Sequence, residues 1–324
     1  MSFNLTRGKT FTNVSHKTVI DYLEHLDTDL INLNAGSLQI VSDSNNDLLL
    51  KNGAQTFKIR ESFLKKLLKW KKIPYSIVDF MDDATILNIC NDILISIGRS
   101  PYPINLKLEE GDAASIFSNN YTLISDLEIL KFCEKFIEID EINRNDYVMV
   151  AKTRIQTQAT PIPGDNYGFG FALINSETGF GYLNFELYAL RYTCTNGAYV
   201  RSNFDFKHPH YNIEKKTILE DFQNILINAK QAKSNKFLEN LVLSQKIMAA
   251  KHLNSAKQQI EYIVGQKKSF YFFSSFYKKN GIEQNLYDLF NYITDQAKQY
   301  EIHERYFLEQ YAGSLINNLH KVEN

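Results

Sequence analysis

The constraint that narrows the fold most is a change of periodicity near residue 210. From about Pro103 to Phe206 apolar residues tend to alternate, as half-buried strands require, whereas from about Ile213 onward they recur every three to four residues. Ile104 to Leu108 alternates, Ser115 to Thr122 is extended, and Asp126 to Ile137 interrupts as a helix. Tyr147 to Ala159 reads as one long strand. Phe169 to Ile174 and Gly181 to Thr195 read as two more, joined by the turn Asn175-Ser176-Glu177-Thr178-Gly179. Several strands need neighbours, and a single antiparallel sheet is the economical solution. Downstream, Ile218, Phe222, Ile225 and Leu226 form a helical stripe, and Ile282 to Ala297 and Arg305 to Leu319 repeat the period. The aromatic patch Phe270 to Phe273, with Phe276 and Tyr277, falls between helices in this reading. The pattern predicts an α+β protein: a central antiparallel sheet over about 103–206 covered by helices, with a helical C-terminal region.

The first 98 residues mix both patterns. Val14 to Leu26 reads as a helix. Leu48 to Leu50 and Thr56 to Ile59 read as a hairpin about Asn52-Gly53, a pair suited to a primed turn. Glu61 to Lys72 reads as an amphipathic helix with Phe63, Leu64, Leu67 and Leu68 on one side and Lys65, Lys66, Lys69 and Lys72 opposite. Another helix is expected over Ile77 to Ile97, stopped at Gly98. Three regions result, 1–98, 99–212 and 213–324, compatible with one continuous domain over 56–316.

At 324 residues and 44% hydrophobic, the chain can bury a substantial core. A net charge of -1 means that any phosphate-binding surface must be local. Cys90, Cys133 and Cys194 are odd in number and widely spaced, which argues against a disulfide framework or structural zinc and for a reducing compartment. The first residues lack the apolar core of a signal peptide, and no apolar run reaches the roughly 20 residues a membrane helix needs. A cytoplasmic location and no membrane partner are therefore expected.

Basic and polar residues supply the candidate sites. In the strand from Tyr147, Lys152, Arg154, Gln156 and Gln158 share one face, either a solvated sheet surface or a floor for a nucleic-acid backbone. Tyr167, Phe169 and Tyr182 are candidate stacking residues nearby. The lysine face bearing Lys65, Lys66 and Lys69 is the strongest basic cluster, read as a solvated helix face or as phosphate contacts. Arg191 to Gly197 ends a strand at an Asn-Gly turn, where Cys194 is either a packed thiol or a nucleophile beside His208. Nothing in the sequence supplies an orienting acid for that pair. His208 and His210 flank Pro209 in a loop without a telling metal partner. No dinucleotide fingerprint, P-loop, zincin motif or nucleophile elbow is present, and no cofactor is implied.

The run Leu187 to Gly197 resembles the Arg-x-x-Cys-Thr-Asn-Gly segment of the phage/plasmid-like proteins. Ser118-Asn119-Asn120-Tyr121 leading to Leu130, the turn Asn175 to Gly179, and Asn285 to Thr294 fit the same family in the same order. Lys207-His208 sits where a basic residue and His often follow, although Pro209 departs from the usual small or hydroxyl residue. The shared domain is of unknown function, so no catalytic residues carry over. The resemblance implies a mobile element in a bacterial host and, by gene neighbourhood, DNA metabolism. The leading expectation is an accessory protein binding single strands in replication or recombination, as a possible homo-oligomer. Lys152, Arg154, Arg191, Arg201 and Lys207 are expected on phosphates, with Asn196 positioning the turn and His208, Lys65, Lys66 and Lys69 contributing. The alternative is a protein-binding factor against a host defence or restriction enzyme, with host or phage proteins as partners. An enzyme using Cys194 and His208 stands third.

Overall fold

The computed structural model describes residues 3–153, 157–192, 196–200, 206–212, 214–229, 235–280 and 284–319. In chain order the elements are β1 (Phe11–Val14), α1 (His16–Glu24), β2 (Thr28–Leu33), β3 (Leu38–Ser42), β4 (Leu48–Asn52), β5 (Gln55–Lys58), α2 (Glu61–Trp70) and α3 (Asp83–Gly98). Next come β6 (Ile104–Glu109), β7 (Asp112–Ser118), α4 (Asp126–Cys133), β8 (Ile139–Arg144), β9 (Met149–Thr153), β10 (Thr157–Ile162), β11 (Asp165–Asn175), β12 (Leu183–Arg191), β13 (Asn196–Val200) and β14 (Phe206–His208). The helices α5 (Lys215–Ala229), α6 (Asn235–Ser244), α7 (Leu253–Val264), α8 (Gln266–Asn280), α9 (Leu286–Ala297) and α10 (Ile302–Asn317) follow. The α+β class is as the sequence reads.

An antiparallel sheet runs β1-β8-β9-β11-β12-β13, with β10 added to β11 and β14 to β12. Its inner face, carrying Phe171, Leu173, Phe185 and Leu187, packs under Phe222, Phe237, Leu289, Ile293 and Leu308 of the C-terminal helices. A separate core joins α2 and α3 to two three-stranded sheets, β2-β6-β7 and β3-β4-β5. The cores divide the chain differently from the three sequence segments. Strands β6 and β7 pack with the N-terminal core, while β1 is a strand of the large sheet and α1 packs against it. Alternation alone cannot say which sheet a strand joins.

Other differences are local. The expected long strand from Tyr147 is two strands, β9 and β10, on opposite sides of β11. The aromatic patch at 270–277 is helix α8 itself. Tyr75–Phe80 forms a 3-10 turn, and α3 begins only after Asp82, whose side chain accepts from the Thr85 amide at 2.8 Å. The hairpin turns on Gly53-Ala54, one residue later than expected, because Asn52 pairs with Gln55; of the two, only Gly53 has positive φ, as a type II′ turn requires.

The outer face of the large sheet is covered only in part. Helix α10 lies along β13, and a Cβ on Gly313 would overlap the Tyr199 carbonyl, so glycine sets that close approach. Leu308, Ala312 and Ile316 face the inner core, while Ile302 and Tyr306 reach Tyr188, Tyr199 and Ile174 on the outer face. The rest of that face opens into a cleft.

Candidate nucleic-acid interface

The cleft has a volume of about 1010 Å³ and lies between α2, the outer sheet face and helices α7 and α10. Its floor follows the strand register: Ile174 pairs with Asn184, and Asn184 with Lys207. Lys65 and Lys69 enter from α2, Phe180 and Tyr182 from the segment before β12, Tyr262 from α7, and His303, Tyr306, Phe307 and Gln310 from α10. No described residue lining the cleft is an aspartate or glutamate. A smaller hollow of about 280 Å³ adjoins it, sharing Lys207, Gln310 and Ser314, and there Glu186 contributes to the wall.

The lysines rest on aromatic rings. Lys207 Nζ is 4.5 Å from the centre of the Tyr182 ring, Lys69 is 5.6 Å from that of Phe180, and Lys65 lies 4.5 Å from Tyr147 and 4.8 Å from Tyr75. Such contacts hold a cation without neutralising it. Lys65 also pairs with Glu61 at 2.9 Å, which is itself bound by Arg7. Lys69 and Lys207 have no carboxylate within ion-pair distance among the described residues. Lys66 turns away from solvent, donates to the Gly179 carbonyl at 2.6 Å and is enclosed by Phe117, Tyr121 and Phe180. Burial, with Lys69 nearby, lowers its ammonium to about 8. The sequence's single lysine face thus splits into one paired, one enclosed and one available cation.

The expected basic floor along the sheet is corrected by the structure. Lys152 is buried beneath α10, donating to Tyr188 Oη at 2.9 Å and pairing with Glu141 at 3.3 Å. Arg191 is held by Asp165 through its Nε at 2.6 and 2.8 Å, and the same carboxylate accepts from Tyr287 Oη. Both cations are neutralised inside the fold and do not form a phosphate track. Tyr167 and Phe169 are buried on the inner face, so of the three stacking candidates only Tyr182 reaches the cleft. Arg154, Cys194 and Arg201 lie outside the described residues, as does the side chain of Asn196. His208 is half-buried with Nδ1 3.3 Å from the Pro209 carbonyl oxygen. His210 is buried against Tyr121, and its Nδ1 is 3.1 Å from the Thr122 carbonyl oxygen. No group of three or more metal-binding side chains occurs among the described residues. No helix among them is long and apolar enough to cross a membrane.

The Tyr188 to Gly197 stretch has a packing role at its one visible glycine. Gly197 faces Tyr188 across β12 and β13, and a Cβ there would overlap the tyrosine hydroxyl. The turn Asn175 to Gly179 proves to be a hub. Asn175 donates to the Ile124 carbonyl at 3.0 Å and to Asp126 at 2.8 Å, and Thr178 donates to the Asp146 carbonyl at 2.6 Å. Glu177 binds Lys107 and accepts from the Asp126 amide at the start of α4. Arg144 joins Asp126 at 2.8 Å and lies 3.7 Å from Glu109 and from Glu177.

Sequence reading missed Asn184, Tyr262, His303, Tyr306 and Gln310. One signal was present: α10 carries large apolar or aromatic residues on several sides (Tyr306, Phe307, Leu308, Tyr311), as a helix contacted on more than one face does. Comparison of the chain with known protein families, curated proteins and solved structures finds no match.

Proposed function

We propose that the cleft binds single-stranded nucleic acid and that the protein serves as an accessory factor of DNA metabolism. The observation that carries this reading is a carboxylate-free cleft in which lysines lie on aromatic rings, within a chain of net charge -1. Lys69 and Lys207, with Lys65 as a weaker third, provide phosphate contacts. Tyr182, Phe307 and Tyr262, exposed by 46, 41 and 88%, provide faces on which bases stack. The resemblance of Leu187 to Gly197 to the phage/plasmid-like proteins adds a setting, replication or recombination on a mobile element.

Binding of a labelled single-stranded oligonucleotide should weaken steeply with salt. Replacing Lys69 or Lys207 by alanine should reduce the slope of log affinity against log salt by about 0.7 per lysine. Absence of binding by the wild type at low salt would sink the reading.

A second reading has its own support. Helix α8 exposes Phe270, Tyr271 and Tyr277 outside the cleft, an aromatic surface suited to a protein partner such as a host defence or restriction enzyme. If that contact is the function, a purified host enzyme of this class should bind after nuclease treatment, and Phe270→Ala with Tyr271→Ala should abolish binding while the cleft lysines are immaterial.

A further inference from the structure

The strand edges of this protein are treated unequally. Along β3, the Ile40 amide donates to Asn91 Oδ1 at 2.8 Å and Asn91 Nδ2 donates to the Ile40 carbonyl at 2.9 Å, so one side chain closes the edge. Along β7, the Arg60 amide donates to the Ala113 carbonyl at 3.0 Å and Ser62 Oγ to that of Ala114 at 2.8 Å. On β1, Asn13 has positive φ where the register shifts. Covering, capping and bulging keep an edge strand from pairing with another chain. The opposite edge of the β2-β6-β7 sheet is β2, and it has none of these devices among the described residues.

The pairing register says which groups β2 leaves open. It runs antiparallel to β6, with Asp29 opposite Leu108, Leu30 opposite Lys107 and Ile31 opposite Leu106. The Glu110 amide donates to the Asp27 carbonyl at 2.8 Å, so in the alternation of an antiparallel ladder Asp27, Asp29 and Ile31 turn their backbone groups toward β6. Thr28, Leu30 and Asn32 turn theirs outward, and all three residues are exposed, Leu30 by 49%. The strand contains no proline, glycine or lysine. Its charges are negative: Asp29 within it and Asp27 just before it are both exposed, and neither forms an ion pair among the described residues. A second copy laid antiparallel on this edge would bring two more such carboxylates beside the first two, whereas a basic strand would neutralise them.

We infer that the β2 edge receives an extended segment of a partner protein, added antiparallel as a further strand, with basic residues opposite Asp27 and Asp29 and apolar residues opposite Leu30 and Ile31. The outward backbone groups of Thr28, Leu30 and Asn32 supply affinity, and the two carboxylates select the partner. This surface is independent of the cleft and of the single-strand reading. The test uses the full chain and the labelled peptide Thr-Val-Val-Lys-Thr-Lys, with Thr-Val-Val-Glu-Thr-Glu as the contrast, in fluorescence anisotropy. The lysine peptide should bind about tenfold more tightly, the scale of two cross-strand charge pairs turned from repulsive to attractive. Asp27→Lys with Asp29→Lys should reverse the preference. Leu30→Pro removes the central outward N–H without taking a bond from β6, and should abolish binding of both peptides; the charge reversal serves if that variant does not fold. Equal affinities for the two peptides, no binding by the lysine peptide, or binding that survives Leu30→Pro would overturn the inference. So would a concentration-dependent dimer that Leu30→Pro abolishes, which would assign the edge to a second copy of this chain.

Discussion

Basic side chains have two fates in this molecule, and the contrast between them separates what holds the fold from what faces a ligand. At the junction of the two cores, Lys107, Arg60 and Arg144 are buried among Glu109, Asp126, Asp146 and Glu177. Around the cleft, Lys69 and Lys207 lie on aromatic rings with no carboxylate partner among the described residues. A buried cation demands a fixed counter-charge because desolvation is costly. A cation resting on a ring retains its hydration and its field, and can exchange water for phosphate. The junction also shows how much depends on one turn: Asn175 to Gly179 touches α4, β6, β7, α2 and the loop before β9 through hydrogen bonds.

The sharpest way to break this contrast is at Arg144. Arg144→Met leaves Asp126, Glu109 and Glu177 without that guanidinium, and should cost about 3–5 kcal/mol in urea unfolding. Lys69→Ala and Lys207→Ala should change the same measurement by less than about 0.5 kcal/mol, since neither removes a buried partner. A loss at Lys69 comparable with that at Arg144 would erase the distinction.

A smaller effect should appear in the pH dependence of stability. Burial holds His210 and His303 at about 4, below the ordinary 6.5, so both stay neutral in the fold where the unfolded chain takes up protons. Their contribution is complete above about 6.5 and is lost as pH falls through about 4. Glu109 is held at about 2: burial opposes its charge, but Lys107, Arg144 and Arg60 outweigh it. Its share is complete above about 4.5 and is lost as pH falls toward about 2. Asp126 acts oppositely, because burial and Glu177 raise it to about 6, so folding favours its protonation between about 6 and 3.8. Two histidines outweigh one aspartate, and stability should decline as pH drops from about 6.5. In urea titrations His210→Gln should flatten that decline and Asp126→Asn should steepen it; the reverse signs would contradict the assignment.

The strand and helix patterns were legible because burial of one face repeats every two residues in a strand and every three to four in a helix. The stripe Phe63, Leu64, Leu67 and Leu68 is buried as its spacing requires, and β11, β12, α9 and α10 lie close to where alternation and helical period put them. Period does not reveal which sheet a strand joins, so β6 and β7 went to the N-terminal core unannounced. Nor does it tell a solvated charge from a buried one. Lys152 lies on the outer side of β9 with Val150, and Arg191 on the same side of β12 as Leu187 and Ala189, and only the arrival of α10 over one and of Asp165 and Tyr287 against the other decided that they are internal.

The sequence by itself determined the class of fold, the amphipathic faces and the presence of a lysine-bearing helix, because each follows from neighbours along the chain. Only the tertiary structure decided which lysines keep their charge available and that Asn184, Tyr182, Lys207 and Tyr306 meet in one cleft. Those residues come from β12, the segment before it, β14 and α10. Their meeting depends on strand register and on the close contact of Gly313 with Tyr199, neither of which a local pattern encodes.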